Sequence, residues 1–120
     1  WIDYEEYPEK TYNYLSDYEL TLERIKPYTG NYTIIRKKSD EAMEDMPDDL
    51  DFVYIDGNHT VSYVKRDMIN CWRKVKPGGY ITGDDWSMDE VMGGILLALK
   101  ELGLSTEIEL FGRNWLIRKP

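Results

Sequence analysis

The sequence predicts an α/β fold in which a mostly parallel sheet carries helices on both faces and ends in an antiparallel hairpin. Short runs of apolar and β-branched residues alternate with longer segments whose apolar residues recur at helical spacing. That alternation is typical of a parallel sheet covered by helices. The last two strand-like runs are separated only by a short turn, which instead indicates a hairpin.

The first half of the chain contains one long and one short predicted helix around a predicted strand. Residues 1–14 show no periodicity and are expected to form a loop. A capping box starts at Ser16, which predicts that a helix begins there. Residues 32–35 are aromatic and β-branched and therefore predict a strand. Ser39 is expected to cap a short helix whose first turn is acidic.

The second half is expected to hold two strands, each followed by a helix, and then the hairpin. The strands are predicted at 51–55 and 80–82, the helices over 61–75 and from Ser87 or Asp89 to Gly103, and the hairpin strands at 107–110 and 115–117. The Gly93-Gly94 pair in the last helix costs about 1 kcal/mol per glycine relative to alanine. A close approach of this helix to the sheet would explain the pair.

The composition excludes several classes of protein. A chain of 120 residues with 42% hydrophobic and 32% charged residues is expected to form one soluble domain. The net charge of -8 argues against a nucleic-acid partner, and no apolar run approaches the roughly 20 residues of a membrane span. Cys71 is the only cysteine, which excludes an internal disulfide and a thiolate metal cluster. We therefore expect a cytoplasmic protein.

Candidate functional residues follow the predicted strands, because ligands of open α/β sheets bind beyond the carboxyl ends of the strands. The three post-strand segments are Ser39-Asp40, residues 56–59 and Asp84-Asp85. The carboxylates of the last two segments are expected to converge, and such a group needs a cation, a shared proton or open water. A hard divalent ion such as Mg²⁺ suits these oxygen ligands. Taken singly, each aspartate also fits a helix cap or a turn.

Two motifs carry a resemblance to a known family. The run from Leu50 to His59 resembles the fourth-strand motif of class I S-adenosylmethionine-dependent methyltransferases, closest to the branch with cephalosporin-biosynthesis and catechol-type O-methyltransferases. The run from Val75 to Asp85 resembles the helix end and fifth strand of the same Rossmann-like fold, and the hairpin with Trp115 matches its closing strands. Together these motifs are specific for the superfamily, but they specify no substrate.

The resemblance implies a role for each post-strand residue. Asp56 matches the aspartate that ligates Mg²⁺ close to the reacting methyl group of the cofactor, S-adenosylmethionine. Asp84 and Asp85 match the pair that completes the metal site. His59 falls where catechol-type enzymes carry a lysine base, which makes it the expected general base, and imidazole exchanges protons near neutral pH. The resemblance also places Ser39-Asp40 where family members contact adenine.

The resemblance also implies what the chain lacks. The glycine-rich loop after the family's first strand and the acidic residue after its second strand are not in this sequence. We therefore expect a single partial methyltransferase domain over residues 1–120, running from the third strand to the seventh, with the first two strands missing. On its own, such a fragment is expected to be inactive.

Three functional hypotheses follow. The first is an S-adenosylmethionine-dependent and Mg²⁺-dependent O-methyltransferase that acts on a small hydroxylated molecule such as a sugar or phenol. The second is a non-catalytic fragment or partner-binding subunit, since exposed strand edges invite pairing with another chain, including a second copy in a homo-oligomer. The third is an α/β domain that uses a metal for hydrolysis. The spacing of Asp56 and His59, together with the Pro77-Gly78-Gly79 break, favours methyl transfer.

Overall fold

The computed structural model describes residues 14–120, so the predicted opening loop lies almost entirely outside the described residues. The elements, in chain order, are α1 (Tyr14–Ile25), a 3-10 turn (Lys26–Tyr28), α2 (Ser39–Ala42), β1 (Leu50–Ile55), α3 (Val61–Lys74), β2 (Val75–Gly83), α4 (Asp89–Glu101), β3 (Glu109–Phe111) and β4 (Asn114–Arg118). Among the helices of this part of the chain, none has the length and apolar character needed to cross a membrane.

The strands form one sheet in the order β1-β2-β4-β3. The β1–β2 pair is parallel and joined through α3, whereas β4 pairs antiparallel with both β2 and β3. The α/β class and the terminal hairpin are therefore confirmed. The sheet of the described residues is mixed and not mostly parallel, because only one of its three strand pairs is parallel. Ile55 pairs with Gly83 and Gly83 with Trp115, so β1 and β2 end at the same edge where β4 begins. This register determines which loops meet at the candidate site.

The hydrophobic core lies between one face of the sheet and the helices α3 and α4. Its largest fully buried side chains include Trp115, Met68 and Ile81. Helical spacing in α3 and alternation in β2 and β4 place these side chains on the inward face. On the opposite face of the sheet Phe52 and Tyr54 remain about half exposed. The described helices that pack on the sheet, α3 and α4, thus lie on one of its faces, so the predicted covering of both faces is not found among the described residues.

Four local predictions are wrong. Residues 32–35 form no strand, because a strand needs a hydrogen-bonded neighbour and no described segment pairs with this one. Ser16 lies inside α1, so it does not cap the helix. Ser39 is the first residue of α2, whose N-cap is Lys38, and the Ser39 hydroxyl is used elsewhere. The Pro77-Gly78-Gly79 segment lies within β2 at a register shift, after α3 has already ended at Lys74.

The glycine pair of α4 is explained by helix–helix contact and not by the expected approach to the sheet. A Cβ atom built on Gly94 would lie 2.6 Å from Cβ of Val64 and 3.0 Å from the carbonyl oxygen of Val61, both in α3. A Cβ atom on Gly93 would meet only Val61 Cγ2, at 4.0 Å. Only Gly94 is therefore required by the packing of α4 against α3.

This difference gives a matched pair of substitutions. Gly94→Ala is expected to destabilise the fold by about 1–3 kcal/mol, because the added methyl group overpacks the contact between two helices. Gly93→Ala is expected to stabilise it by up to about 1 kcal/mol through helix propensity. Urea unfolding measures both free energies of unfolding, provided that the slope of the transition is unchanged. Equal effects from the two variants would contradict the assigned contact.

Candidate active site

The candidate site lies at the sheet edge where β1 and β2 end. Three segments meet there: the loop of residues 56–60 after β1, the loop of residues 84–88 after β2, and the turn of Gly112 and Arg113 before β4. Gly83 allows this convergence, because a side chain at that position would collide with the carbonyl oxygen of Ile55 and with the ring of Trp115. A small cleft at this edge is lined by Ile55, Asp56, Gly57, Asn58, His59, Val64, Asp84, Val91 and Trp115.

Asp56, His59 and Asp85 come together as the sequence predicts for post-strand residues. One potential ligand atom from each of the three lies within 4.8 Å of the others. Nε2 of His59 lies 3.1 Å from Oδ2 of Asp85 and 3.9 Å from Oδ1 of Asp56. The side chain of Asp85 is 13% exposed, whereas that of Asp56 is 60% exposed. The cluster therefore has one largely buried carboxylate, that of Asp85, and one exposed carboxylate, that of Asp56.

Asp84 lies beside this cluster but outside it. Its Oδ1 accepts a hydrogen bond of 2.7 Å from the backbone N–H of Asp85. Asp85 itself has a φ of 60°, in the left-handed region that aspartate tolerates better than most residues. Its carbonyl oxygen accepts a hydrogen bond from the N–H of Met88. The two aspartates thus shape a tight turn that points one carboxylate towards His59.

Arg113 brings a positive charge to this edge. Its guanidinium pairs through Nη2 with Oδ1 of Asp85, and its Nε lies 3.7 Å from Oδ1 of Asp84. The Arg113 carbonyl oxygen also accepts a hydrogen bond of 2.9 Å from the N–H of Trp86. The turn before β4 is thus attached to the loop after β2 through both backbone and side chain.

Ser39 and Asp40 are oriented towards α3. The Ser39 hydroxyl donates a 2.7 Å hydrogen bond to Oδ1 of Asp67, and the Asp40 carboxylate lies 3.2 Å from Nη1 of Arg66. Asp67 is buried, and its burial raises the pKa of its carboxyl group above the ordinary value although the bond from Ser39 acts in the opposite direction. A Cβ atom on Gly57 would lie 3.3 Å from Oδ2 of Asp67. Asp67 therefore binds the first residue of α2 and lies close to the loop after β1.

Two other ionisable side chains, one in α3 and one in β1, have raised pKa values and stay neutral near pH 7. Burial, followed by the charge of Asp67, raises the pKa of the Cys71 thiol to about 12, which removes it as a nucleophile. Partial burial, followed by the charges of Asp84 and Asp56, raises the pKa of the Tyr54 phenol. The charge of Arg113 acts on the same pKa in the opposite direction.

Sequence reasoning missed Arg113 and Asp67. Asp67 interrupts the apolar stripe of α3, and a charged residue at a core position is a signal that could have been followed. Arg113 offered no comparable signal, because its position depends on the pairing of β4 with β2, two strands that are distant in sequence.

The fold is of the Rossmann-like α/β class: it combines a parallel strand pair with acidic residues at its carboxyl edge, a crossover helix and a closing antiparallel hairpin. A family model described as "Methyltransferase domain" matches residues 2–86, a range that contains Asp56, His59, Asp84 and Asp85. The chain belongs to this methyltransferase family. No curated protein matches the chain.

A solved structure agrees with this assignment at the level of the fold. The chain is similar to the O-methyltransferase NovP, with a TM-score of 0.60 and 16% sequence identity. The similarity covers 95% of this chain and 55% of NovP, so the chain spans little more than half the length of that protein. Arg113 lies beyond the range of the family model.

Proposed function

We propose that this chain carries the metal-binding and catalytic edge of an S-adenosylmethionine-dependent O-methyltransferase that acts on a small hydroxylated molecule. The observation that carries the proposal is the convergence of Asp56, His59 and Asp85 at the ends of two parallel strands. Membership of the methyltransferase family and the fold of the O-methyltransferase NovP support the reaction class.

The cluster has a donor set that suits a divalent cation. Two carboxylate oxygens and one imidazole nitrogen offer ligands within 4.8 Å of one another. Ligands of one Mg²⁺ ion lie at most about 4.2 Å apart, so small side-chain movements would complete such a site. We assign Asp56 and Asp85 as its carboxylate ligands, with Asp84 next to them. A bound divalent ion would serve as Lewis acid and template for the substrate hydroxyl.

His59 is proposed as the general base. Its side chain is 19% exposed at the edge of the cleft, and Asp85 lies 3.1 Å from its Nε2. A carboxylate at that distance can form an ion pair with the ring once the ring has accepted a proton. S-adenosylmethionine supplies a methyl group on sulfonium sulfur, so that a C–S bond breaks while a C–O bond forms. The proton of the acceptor hydroxyl then passes to His59.

Ser39, Asp40 and Asp56 are proposed to contribute to the cofactor side of the site. Since Ser39 and Asp40 have partners on α3, we propose that they hold the start of α2 in place for the adenine end of the cofactor. Asp67 binds Ser39 and lies close to Gly57 in the loop that carries Asp56, so we propose that this buried carboxylate helps to hold the two segments in place.

The proposal is tested by methyl transfer. The full-length protein is incubated with S-adenosylmethionine that carries a deuterated methyl group and with a panel of small phenols and sugars. Mass spectrometry then identifies the labelled product and the position of the label. Label on an acceptor oxygen is the expected result. Cofactor binding without transfer to any acceptor would favour a non-catalytic, partner-binding subunit.

A further inference from the structure

The carboxylate of Asp85 is shared by two partners. Oδ2 faces His59 at 3.1 Å, and Oδ1 pairs with the guanidinium of Arg113. Since Asp85 is 13% exposed, its charge has lost most of its contact with water and needs a compensating cation. Arg113 provides that charge from a side chain that is itself 65% exposed.

We propose that Arg113 and a divalent cation compete for Asp85, so that Arg113 is the internal counter-ion of the site and tunes its metal affinity. This inference rests on the divalent-ion site of the proposed function. Two cations of like charge cannot share one carboxylate without mutual repulsion. A metal ion that binds Asp56 and Asp85 must therefore displace the guanidinium or bind more weakly beside it.

The geometry makes such a displacement feasible. Arg113 extends from a two-residue turn, and its exposed guanidinium can move into water at little cost. Its backbone remains fixed, because the carbonyl oxygen of Arg113 accepts a hydrogen bond from the N–H of Trp86. This bond does not depend on the Arg113 side chain. Loss of the guanidinium is thus expected to leave the turn folded. Without metal, the same side chain limits repulsion between Asp84 and Asp85, both of which it approaches.

The test is a calorimetric titration of the protein with Mn²⁺, an ion that suits both carboxylate and imidazole ligands. Arg113→Gln is expected to bind Mn²⁺ about tenfold more tightly than the wild type at low salt, a difference of about 1.4 kcal/mol. The gain should shrink at high salt, because the displaced pair is partly exposed. Arg73→Gln, an exposed position in the last turn of α3, removes the same charge away from the site and controls for net charge. Equal or weaker Mn²⁺ affinity in Arg113→Gln would overturn the inference.

Thermal unfolding gives a second, independent readout. In chelator, Arg113→Gln should melt below the wild type, because Asp85 has lost its counter-ion, and this difference should shrink in saturating Mn²⁺. Arg113→Lys keeps the charge but not the planar fork, so its Mn²⁺ affinity should fall between those of the wild type and Arg113→Gln. A melting difference that Mn²⁺ does not change would also overturn the inference.

The two proposals can fail separately. If the wild type and Arg113→Gln bind Mn²⁺ equally, the competition is refuted while the metal site and methyl transfer stand. If neither binds Mn²⁺, the competition and the metal site are both refuted. Absence of labelled methyl product would count against methyl transfer alone, because the Mn²⁺ titration requires neither cofactor nor acceptor.

Discussion

Asp85→Asn is expected to abolish divalent-ion-dependent methyl transfer and to lower Mn²⁺ affinity more than about 100-fold. Substitution of a residue that only supports a metal ligand typically costs about 10–100-fold, and the loss of a ligand should exceed that. The substitution replaces the least exposed carboxylate of the cluster with a neutral amide. Asparagine tolerates the left-handed φ of 60° at this position, so the turn is expected to survive. Asp56→Asn should act in the same direction, since it removes charge from the same hard-cation site.

The chain offers a matched control in Asp49. This exposed aspartate also has a left-handed backbone, with a φ of 61°, and lies at the opposite end of β1 from Asp56. Asp49→Asn therefore makes the same chemical change in the same backbone conformation, far from the site. It should leave metal affinity and turnover unchanged. Comparable losses in Asp49→Asn and Asp85→Asn would show that the effect comes from the fold and not from a ligand.

His59→Gln is expected to lower the rate of methyl transfer at neutral pH by about 10²–10⁴, the contribution of a positioned general base. Glutamine keeps a polar side chain in the cleft but cannot accept the hydroxyl proton at neutral pH. Mn²⁺ affinity and cofactor affinity should change little if His59 acts as the base. Single-turnover kinetics and calorimetry on the same variant separate these quantities.

The same variant distinguishes two roles that the geometry allows for His59. Nε2 of His59 lies among potential ligand atoms, so the imidazole could also bind the metal directly. A large loss of Mn²⁺ affinity in His59→Gln would reassign the side chain as a ligand. An unchanged rate with unchanged metal affinity would mean that the acceptor hydroxyl loses its proton without a protein base.

The elements that sequence reasoning located are those with a strong local pattern. The apolar run of β1, the helical spacing of α3 and the turn at Gly112 each specify their structure within a few residues. The failures have non-local causes. Residues 32–35 have the composition of a strand, but a strand exists only beside a partner. The packing role of Gly94 could be predicted only by knowing which element packs against α4, and the sequence does not specify that neighbour.

The sequence predicted the position of the candidate site but not all of the contacts within it. The rule that ligands bind at the carboxyl ends of parallel strands predicted that Asp56, Asp84 and Asp85 would converge. Asp56 and Asp85 do so, because the parallel register aligns the ends of β1 and β2, whereas Asp84 lies outside the cluster. The rule did not reveal that Ser39 would bond to Asp67 or that Arg113 would pair with Asp85. Both contacts join segments that are 28 residues apart in the sequence. Such contacts follow from tertiary packing and carry no signature in local spacing.

The central claim is that the cluster of Asp56, His59 and Asp85 uses a divalent cation in methyl transfer. The most direct test is the initial rate of labelled methyl transfer by the full-length protein in Mg²⁺, after removal of the metal by excess chelator, and after Mg²⁺ is restored. The proposal predicts that the rate falls to background in chelator and returns with Mg²⁺. Equal rates in chelator and in Mg²⁺ would contradict it and would leave the three side chains with a structural role.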